Sequence, residues 1–367
     1  MLSSFTIHFS SLEDPRIDRR KLHSLEDILF LTLCAVLSGC NDWDEIEEYG
    51  IEKEVWLKKY IELANGIPSH DTISRVFSRL NAKTFQECFI SWVQSVVMNS
   101  KHTFINIDGK RLCNSGENGS KSMIHMVNAW SNSNQMLLGQ VKTEEKSNEI
   151  TAIPTLLDLL ELEGAIITID AMGCQTAIAE KIVEAGADYV LAVKENQKFL
   201  HDDIRDAFAQ TPNATSETTI EKAHGRIEKR TCKIITDLVW INKKENWKNL
   251  QTIISIETER TILQTMQTQT EQRFYIASQL ATPTHFNKIT RGHWGIENSL
   301  HWSLDVVFKE DLSTKQAGNA AENFSMICKA SLSILKNDKG SKSSLKRKRL
   351  KAGWSNEYLE TLLFKDI

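Results

Sequence analysis

Two short apolar stretches, each ending in a carboxylate, decide the fold of this chain: TFINID at residues 103–108 and AIITID at residues 165–170. Their length and β-branched content are typical of buried strands. Between them, residues 123–130 and 135–141 predict a hairpin. Three strands therefore follow one another along the chain before the second carboxylate-ended strand begins.

Helical segments separate the later strands. Pro154 predicts the start of a helix whose apolar positions continue to Leu162. After the second stretch, residues 176–184 predict a helix and residues 189–194 predict a fifth strand. The resulting order, βββαβαβ, is that of a ribonuclease H-like core with a mixed sheet and right-handed crossovers. We therefore expect an α/β fold for this part of the chain.

The regions around this core show other patterns. Residues 1–98 are predicted to form a helical N-terminal domain, and residues 99–367 the domain that contains the core. Strand-like runs recur within residues 205–285, which predicts a β-rich insertion. The helical pattern then returns, and the Lys- and Arg-rich residues 336–351 predict a basic C-terminal tail.

A helix pair in the N-terminal domain is a candidate DNA-binding element. A helix ending near Ala64, a turn at Gly66 and a helix over residues 72–80 give the outline of a helix-turn-helix. The second helix carries Arg75 and Arg79 on its polar side. Helix pairs with glycine turns also occur in proteins that do not bind DNA, so both interpretations stay open.

The composition is that of an ordinary globular protein, with 41% hydrophobic and 25% charged residues in 367 and a formal net charge of −4. This composition excludes a disordered chain and a fibrous repeat. The longest apolar run, residues 28–37, has about half the length of a membrane-spanning helix, so we expect no membrane partner. Seven cysteines without a CxxC pair predict reduced thiols and a cytoplasmic protein. The net charge leaves room for DNA held at local patches.

The two strand-end carboxylates, Asp108 and Asp170, are the candidates for chemistry. A buried carboxylate costs several kcal/mol unless it is paired, hydrogen-bonded or bound to a cation. In a ribonuclease H-like sheet the two strands are neighbours, so both carboxylates could reach one magnesium or manganese ion. Each also has a structural alternative, since Asp-Gly favours turns and Asp170 could cap the following helix.

A third carboxylate is expected from a helix after the fifth strand, and Glu297 is the candidate. On a regular helix one face would carry His293, Glu297, His301 and Asp305. A zinc site built from two histidines and a carboxylate is the competing interpretation of that face. Glu310 and Asp311 are alternative third acids. Three carboxylates that hold two divalent cations suit in-line attack on a phosphodiester and need no organic cofactor.

Three ordered motifs carry a family resemblance: IDGK at 107–110, IDAMGCQ at 169–175 and HWGIENSLHW at 293–302. With them the chain resembles the bacterial insertion-sequence DDE transposases, and among these the H-repeat-associated (H-rpt) subfamily. The resemblance implies a catalytic and metal-binding triad of Asp108, Asp170 and Glu297 with two Mg²⁺ ions, for which Mn²⁺ can substitute. It also implies cleavage and strand transfer of the element's ends, double-stranded DNA partners (terminal inverted repeats and target), and a homodimer on DNA. In the wider group's Tyr-Arg-Glu-Lys signature, His293 stands where Arg is expected, and Arg291 could supply the cation.

Basic residues near the acids and in the outer segments are the predicted DNA contacts. They are Arg75, Arg79, Lys110, Lys194, Arg226, Arg230, Arg291, His293, Lys346, Arg347, Lys348 and Arg349. For the strand that holds Arg226 and Arg230, exposed cross-strand charge pairs are the alternative. Two other functions stay open: a hydrolytic nuclease of the same fold, and a catalytically inactive relic that only binds DNA.

Overall fold

The computed structural model describes residues 7–17, 21–96, 104–112, 124–143, 149–223 and 225–364. The chain divides into two compact units. The first unit comprises Met1–Lys101, Gly109–Glu145 and Glu297–Ile367, and the second comprises His102–Asp108 and Lys146–Ile296. This division differs from the predicted one, which places a single domain boundary at residue 98.

Nine strands of the described residues form one mixed sheet. They are β1 (Phe104–Leu112), β2 (Ile124–Ser131), β3 (Met136–Lys142), β4 (Ile166–Ile169), β5 (Asp188–Val193), β6 (Thr215–Ala223), β7 (Arg226–Ile235), β8 (Thr252–Ile262) and β9 (Thr268–Ala277). The hydrogen-bonded order is β3-β2-β1-β4-β5-β9-β8-β7-β6. β4 pairs in parallel with both β1 and β5, whereas β2 and β3 form an antiparallel hairpin. The predicted mixed α/β fold is confirmed at this level.

The predicted β-rich segment, residues 205–285, contains strands β6 to β9, and these strands extend the main sheet. β9 pairs antiparallel with β5, from Val190 opposite Ala277 to Val193 opposite Phe274. Strands β8, β7 and β6 then continue the sheet outward. The sequence predicts no strand at β6, because its polar, mostly exposed residues give no apolar pattern.

Helices of the second unit cover this sheet. They are α5 (Glu149–Asp158), α6 (Thr176–Glu184), α7 (Lys198–Gln210) and α8 (Pro283–Gly295). The predicted bounds of α6 are confirmed, but Pro154 lies inside α5 and does not begin it. α8 begins at the cap Thr282, whose side chain accepts a hydrogen bond from His285 N. It packs on β4, β6 and β7 and buries Phe286 and Ile289 against the sheet.

The first unit is mainly helical. Its helices are α1 (Leu25–Leu37), α2 (Trp43–Leu57), α3 (His70–Arg79), α4 (Ala82–Val96), α9 (Trp302–Val307), α10 (Ala320–Asn337), α11 (Leu345–Trp354) and α12 (Asn356–Leu363). α1 and α10 are almost wholly buried, and α10 packs against α1, α3, α4 and β3. No helix within the described ranges combines the length and hydropathy needed to cross a bilayer.

The predicted helix-turn-helix of the first unit is wrong. α2 ends at Leu57 and α3 begins at His70, so residues 58–69 connect them in place of the short turn of a helix-turn-helix. The predicted basic tail, residues 336–351, contains the end of α10 and most of α11.

Candidate active site

Asp108 and Asp170 lie at neighbouring positions of two parallel strands. β1 and β4 pair in a register that ends with Ile107 opposite Ile169, and each aspartate is the next residue. Adjacent strands lie about 4.8 Å apart, and residues at matching positions point to the same face. Asp108 is inside β1, which continues to Leu112, so it is not a turn residue.

Asp170 also caps the turn that follows β4. Its Oδ1 accepts hydrogen bonds from Met172 N at 3.0 Å and from Gly173 N at 3.4 Å. A Cβ on Gly173 would lie 2.3 Å from Ile169 Cγ2, so this tight turn accepts only glycine. The turn therefore fixes the orientation of the Asp170 carboxylate and leaves Oδ2 for another partner.

A polar clasp joins the end of α8 to the strands that carry the aspartates. Thr168 Oγ1 donates to Asn106 Oδ1 at 3.0 Å and contacts His293 Nδ1 at 2.9 Å. Asn106 Nδ2 donates to Gly292 O at 2.7 Å. Asn106 and Thr168 each precede an aspartate by two residues, so they lie on the same face of the sheet as the carboxylates.

The clasp defines the state of His293. Because the Thr168 hydroxyl gives its proton to Asn106, it accepts from His293, whose proton is then on Nδ1. Burial lowers the pKa of His293 to about 4, although the charge of Asp170 opposes this shift. The imidazole is therefore neutral near pH 7, and its prediction as a DNA contact is corrected, since it bonds within the fold.

Removing the Thr168 hydroxyl is expected to destabilise the protein. Thr168→Val leaves Asn106 Oδ1 without its donor and His293 Nδ1 without its acceptor, so the free energy of unfolding should fall by about 1–3 kcal/mol. Urea denaturation measures the change. The exposed Thr215 of β6 gives the matched control, because Thr215→Val should change stability by less than about 0.5 kcal/mol. Equal stability of the two variants would contradict the clasp.

Glu297 is exposed and lies in a π-helical segment, Ile296–His301, between α8 and α9. The predicted regular face from His293 to Asp305 is therefore wrong, because π-type hydrogen bonds shift the side-chain spacing. Within the described ranges no three His, Cys, Asp or Glu side chains are grouped as a metal site, and this applies to the predicted zinc site and to the predicted triad alike. π-helical turns are frequent at functional sites.

The alternative third acids have structural partners. Lys110 Nζ is 2.5 Å from Asp305 Oδ1, 3.3 Å from Asp311 Oδ1 and 3.7 Å from Glu310 Oε2. Burial alone would lower the pKa of Lys110, but the charges of these carboxylates raise it above its usual value. Glu310 is itself buried and accepts a hydrogen bond from Ser325 Oγ at 2.7 Å. One lysine is therefore shared among three carboxylates, and each of these acids already has a structural partner.

Four predicted DNA contacts are buried inside the fold: Lys110, Arg230, Lys348 and Arg349. Arg230 donates from Nε to Asn287 Oδ1 at 2.6 Å and from Nη2 to Thr290 Oγ1 at 2.9 Å. A phosphate contact needs a side chain that reaches solvent, so the prediction is wrong for these four. Their burial depends on tertiary contacts that the local sequence does not reveal.

The remaining predicted contacts are exposed: Arg75, Arg79, Lys194, Arg226, Arg291, Lys346 and Arg347. Arg291 is ion-paired with Glu221 and lies 3.7 Å from Glu228 Oε1. These carboxylates partly neutralise the charge of Arg291, the residue predicted to replace the missing arginine of the signature.

Sequence reasoning missed Arg273. Its guanidinium lies 4.4 Å from the centroid of the Trp294 ring. Its positive charge lowers the pKa of His293, whereas the negative charge of Asp170 raises it. It also bonds Glu271 at 2.7 Å. A lone arginine in a strand gives no sequence signal of this placement. Trp294 is thus covered by a cation, whereas Trp302 is 57% exposed.

Known proteins and protein families are similar to this chain in sequence. Residues 98–334 match the family described as transposase DDE domain, and residues 6–93 match the DDE_Tnp_1-associated family. The "H repeat-associated putative transposase YhhI" of Escherichia coli (strain K12) is 42% identical over 366 residues, covering 97% of this chain and 96% of YhhI. The "Putative transposase YncI" of Escherichia coli O157:H7 is 42% identical over 370 residues, covering 99% and 95%. A solved piggyBac transposase synaptic complex with hairpin DNA gives a TM-score of 0.48 at 11% identity, covering 100% of this chain and 78% of its own.

The matched family defines the class of this protein, which is a transposase. Transposases of this family are DNA-cleaving and strand-transferring enzymes that generally use divalent metal ions. The chain belongs to the bacterial DDE transposases of the H-repeat-associated kind.

Proposed function

We propose that this chain cleaves phosphodiester bonds at the ends of an insertion-sequence element and transfers the released strands to target DNA. The observation that carries the proposal is the neighbouring position of Asp108 and Asp170 on parallel strands. The strand order β3-β2-β1-β4-β5 is that of a ribonuclease H-like core, and we infer that these strands form it, with β6 to β9 as its extension.

The paired carboxylates fit a divalent cation. Their oxygens are hard ligands, and magnesium sites in phosphoryl-transfer enzymes commonly combine one or two carboxylates with phosphate oxygens and water. We propose that Asp108, Asp170 and Glu297 hold two Mg²⁺ ions, or Mn²⁺ as a substitute. When bound, such ions activate a water or a 3′-hydroxyl and stabilise the leaving oxygen.

The chain's own residues orient these ligands. The backbone amides of Met172 and Gly173 hold one oxygen of Asp170 in place. The clasp of Asn106, Thr168 and His293 fixes the last turn of α8, which ends at Gly295, two residues before Glu297. No organic cofactor takes part in this proposal.

DNA contact is assigned to the exposed basic residues. These are Arg75, Arg79, Lys194, Arg226, Arg291, Lys346 and Arg347. We further propose that residues 1–98 act as an associated domain, that a homodimer assembles on paired ends, and that the protein works at the nucleoid in a bacterial cytoplasm.

A plasmid assay tests the function. Supercoiled DNA that carries the element's inverted repeats is incubated with the protein and Mg²⁺ or Mn²⁺. Joined strand-transfer products are expected. Nicks or breaks without joining would instead identify a hydrolytic nuclease, and a gel shift without cleavage would identify an inactive DNA-binding relic.

The third acid has a separate test. Glu297→Gln should remove cleavage and leave the unfolding midpoint unchanged, because Glu297 is exposed. Glu310→Gln should lower stability, because it weakens a buried pair with Lys110, while the folded fraction still cleaves. Normal cleavage by Glu297→Gln together with loss in Glu310→Gln would assign the role to Glu310.

A further inference from the structure

The helix α11, Leu345–Trp354, has basic residues on both its buried and its exposed sides. On the buried side, Lys348 Nζ donates to Leu335 O at 2.9 Å and to Asp338 O at 2.7 Å, at the carboxyl end of α10. Arg349 donates to Val36 O from Nε at 3.0 Å and from Nη2 at 2.7 Å, at the carboxyl end of α1.

These contacts explain the buried half of the basic run. The last carbonyls of a helix lack intrahelical partners and carry partial negative charge, so cations are stabilising there. Lys348 and Arg349 therefore cap two helix ends and fix the orientation of α11. The other basic side chains are held pointing away from the core as a result.

The outward side of α11 carries Lys346, Arg347 and Lys351 together with Leu350 and Trp354. Within the described ranges, none of the three cations forms an ion pair with a carboxylate, and Lys351 Nζ lies 4.1 Å from the centroid of the Tyr358 ring. The Trp354 side chain is 77% exposed. Lys339 and Lys342, in the loop before α11, are exposed as well.

The spacing forms a compact basic surface. Lys346, Leu350 and Trp354 are successive i, i+4 positions, and Arg347 and Lys351 form the adjacent row. At 1.5 Å per residue the surface extends for about 12 Å along the helix axis. Three unpaired cations beside an exposed indole suit a polyphosphate partner, because the cations attract phosphates and the indole can contact a sugar or donate from its N–H.

We propose that this outward side of α11 is a docking surface for the backbone of double-stranded DNA, which it contacts without reading sequence. The inference rests on the proposed function in taking DNA as the partner. An anionic membrane is the less suitable partner, because a membrane-surface helix needs a broad apolar face and only Leu350 and Trp354 are apolar here.

The test measures how binding of a random-sequence duplex depends on salt. Binding of the duplex by the full-length variant Lys346→Gln/Arg347→Gln/Lys351→Gln is measured by fluorescence anisotropy. The salt concentration is varied between about 50 and 200 mM, because the affinity of phosphate contacts falls steeply over this range. The slope of log affinity against log salt should become shallower by about 1 for each lost contact, so by about 3 in total.

A matched control separates this surface from bulk charge. The variant Lys243→Gln/Lys244→Gln/Lys248→Gln removes three exposed lysines from the loop between β7 and β8, with the same change in net charge. Its slope should equal that of the unchanged protein, and all proteins should show the same unfolding midpoint. Trp354→Ala should lower duplex affinity without changing the slope.

Three results would overturn the proposal. They are an unchanged slope in the α11 variant, an equal fall in the control variant, and α11-dependent binding to phosphatidylglycerol vesicles in place of duplex DNA. The catalytic proposal fails separately. A protein with the expected α11-dependent slope but no cleavage would refute catalysis and support this surface, whereas cleavage with an unchanged slope would do the reverse.

Discussion

Asp108→Asn and Asp170→Asn are each expected to reduce DNA cleavage about 10³-fold or more, since losing a metal-holding charge should cost about 4 kcal/mol of transition-state stabilisation. Duplex binding should be unchanged. Asparagine accepts helix-cap hydrogen bonds as well as aspartate does. The Asp170 variant therefore keeps the bonds from Met172 N and Gly173 N, and its fold should persist.

The control for this prediction is Asp237→Asn, which removes an exposed carboxylate just after β7. Its cleavage rate should match that of the unchanged protein. Cleavage that persists in both the Asp108 and the Asp170 variants would contradict their assignment as metal ligands. A loss that coincides with a lower unfolding midpoint would show that the aspartates act on folding.

Arg349→Met is expected to destabilise the first unit severely. The guanidinium, 3% exposed, bonds the carbonyls of Val36, Cys40 and Val307 and lies 4.2 Å from the centroid of the Phe308 ring. Each buried carbonyl left without a donor costs about 1–3 kcal/mol, so the free energy of unfolding should fall by about 3–5 kcal/mol.

The adjacent Arg347 offers a close control. It is exposed on the same helix, so Arg347→Met should change stability by less than about 0.5 kcal/mol. Urea denaturation of both variants, followed by circular dichroism, measures the difference. If Arg349→Met were as stable as Arg347→Met, the helix-capping role of Arg349 would be wrong.

The sequence predicts the centre of the sheet well, because there local pattern and burial agree. The short apolar runs that end at Asp108 and Asp170 bury their side chains as interior strands. β1 and β4 share one core, and their register places the two aspartates at neighbouring positions. Helix α6 has its predicted bounds, since its amphipathic pattern is clear at both ends.

The misses have tertiary causes. β6 has no apolar period, because it lies at the sheet edge with most of its residues exposed. The predicted tail gave no sign that Lys348 and Arg349 would find helix carbonyls, which come from segments distant in sequence. Likewise, Thr168 and His293 form the clasp only because α8 packs on β4, and no local sequence pattern predicts this packing.

Metal-specific rescue of Asp108→Cys tests the central claim most directly, namely that this side chain holds the divalent ion that drives phosphodiester chemistry. Thiolate is a softer ligand than carboxylate and binds Mn²⁺ better than Mg²⁺. The variant should be inactive with Mg²⁺ and regain strand cleavage with Mn²⁺, while Asp108→Asn stays inactive with both. Equal inactivity of Asp108→Cys in the two metals, or equal activity, would contradict the account.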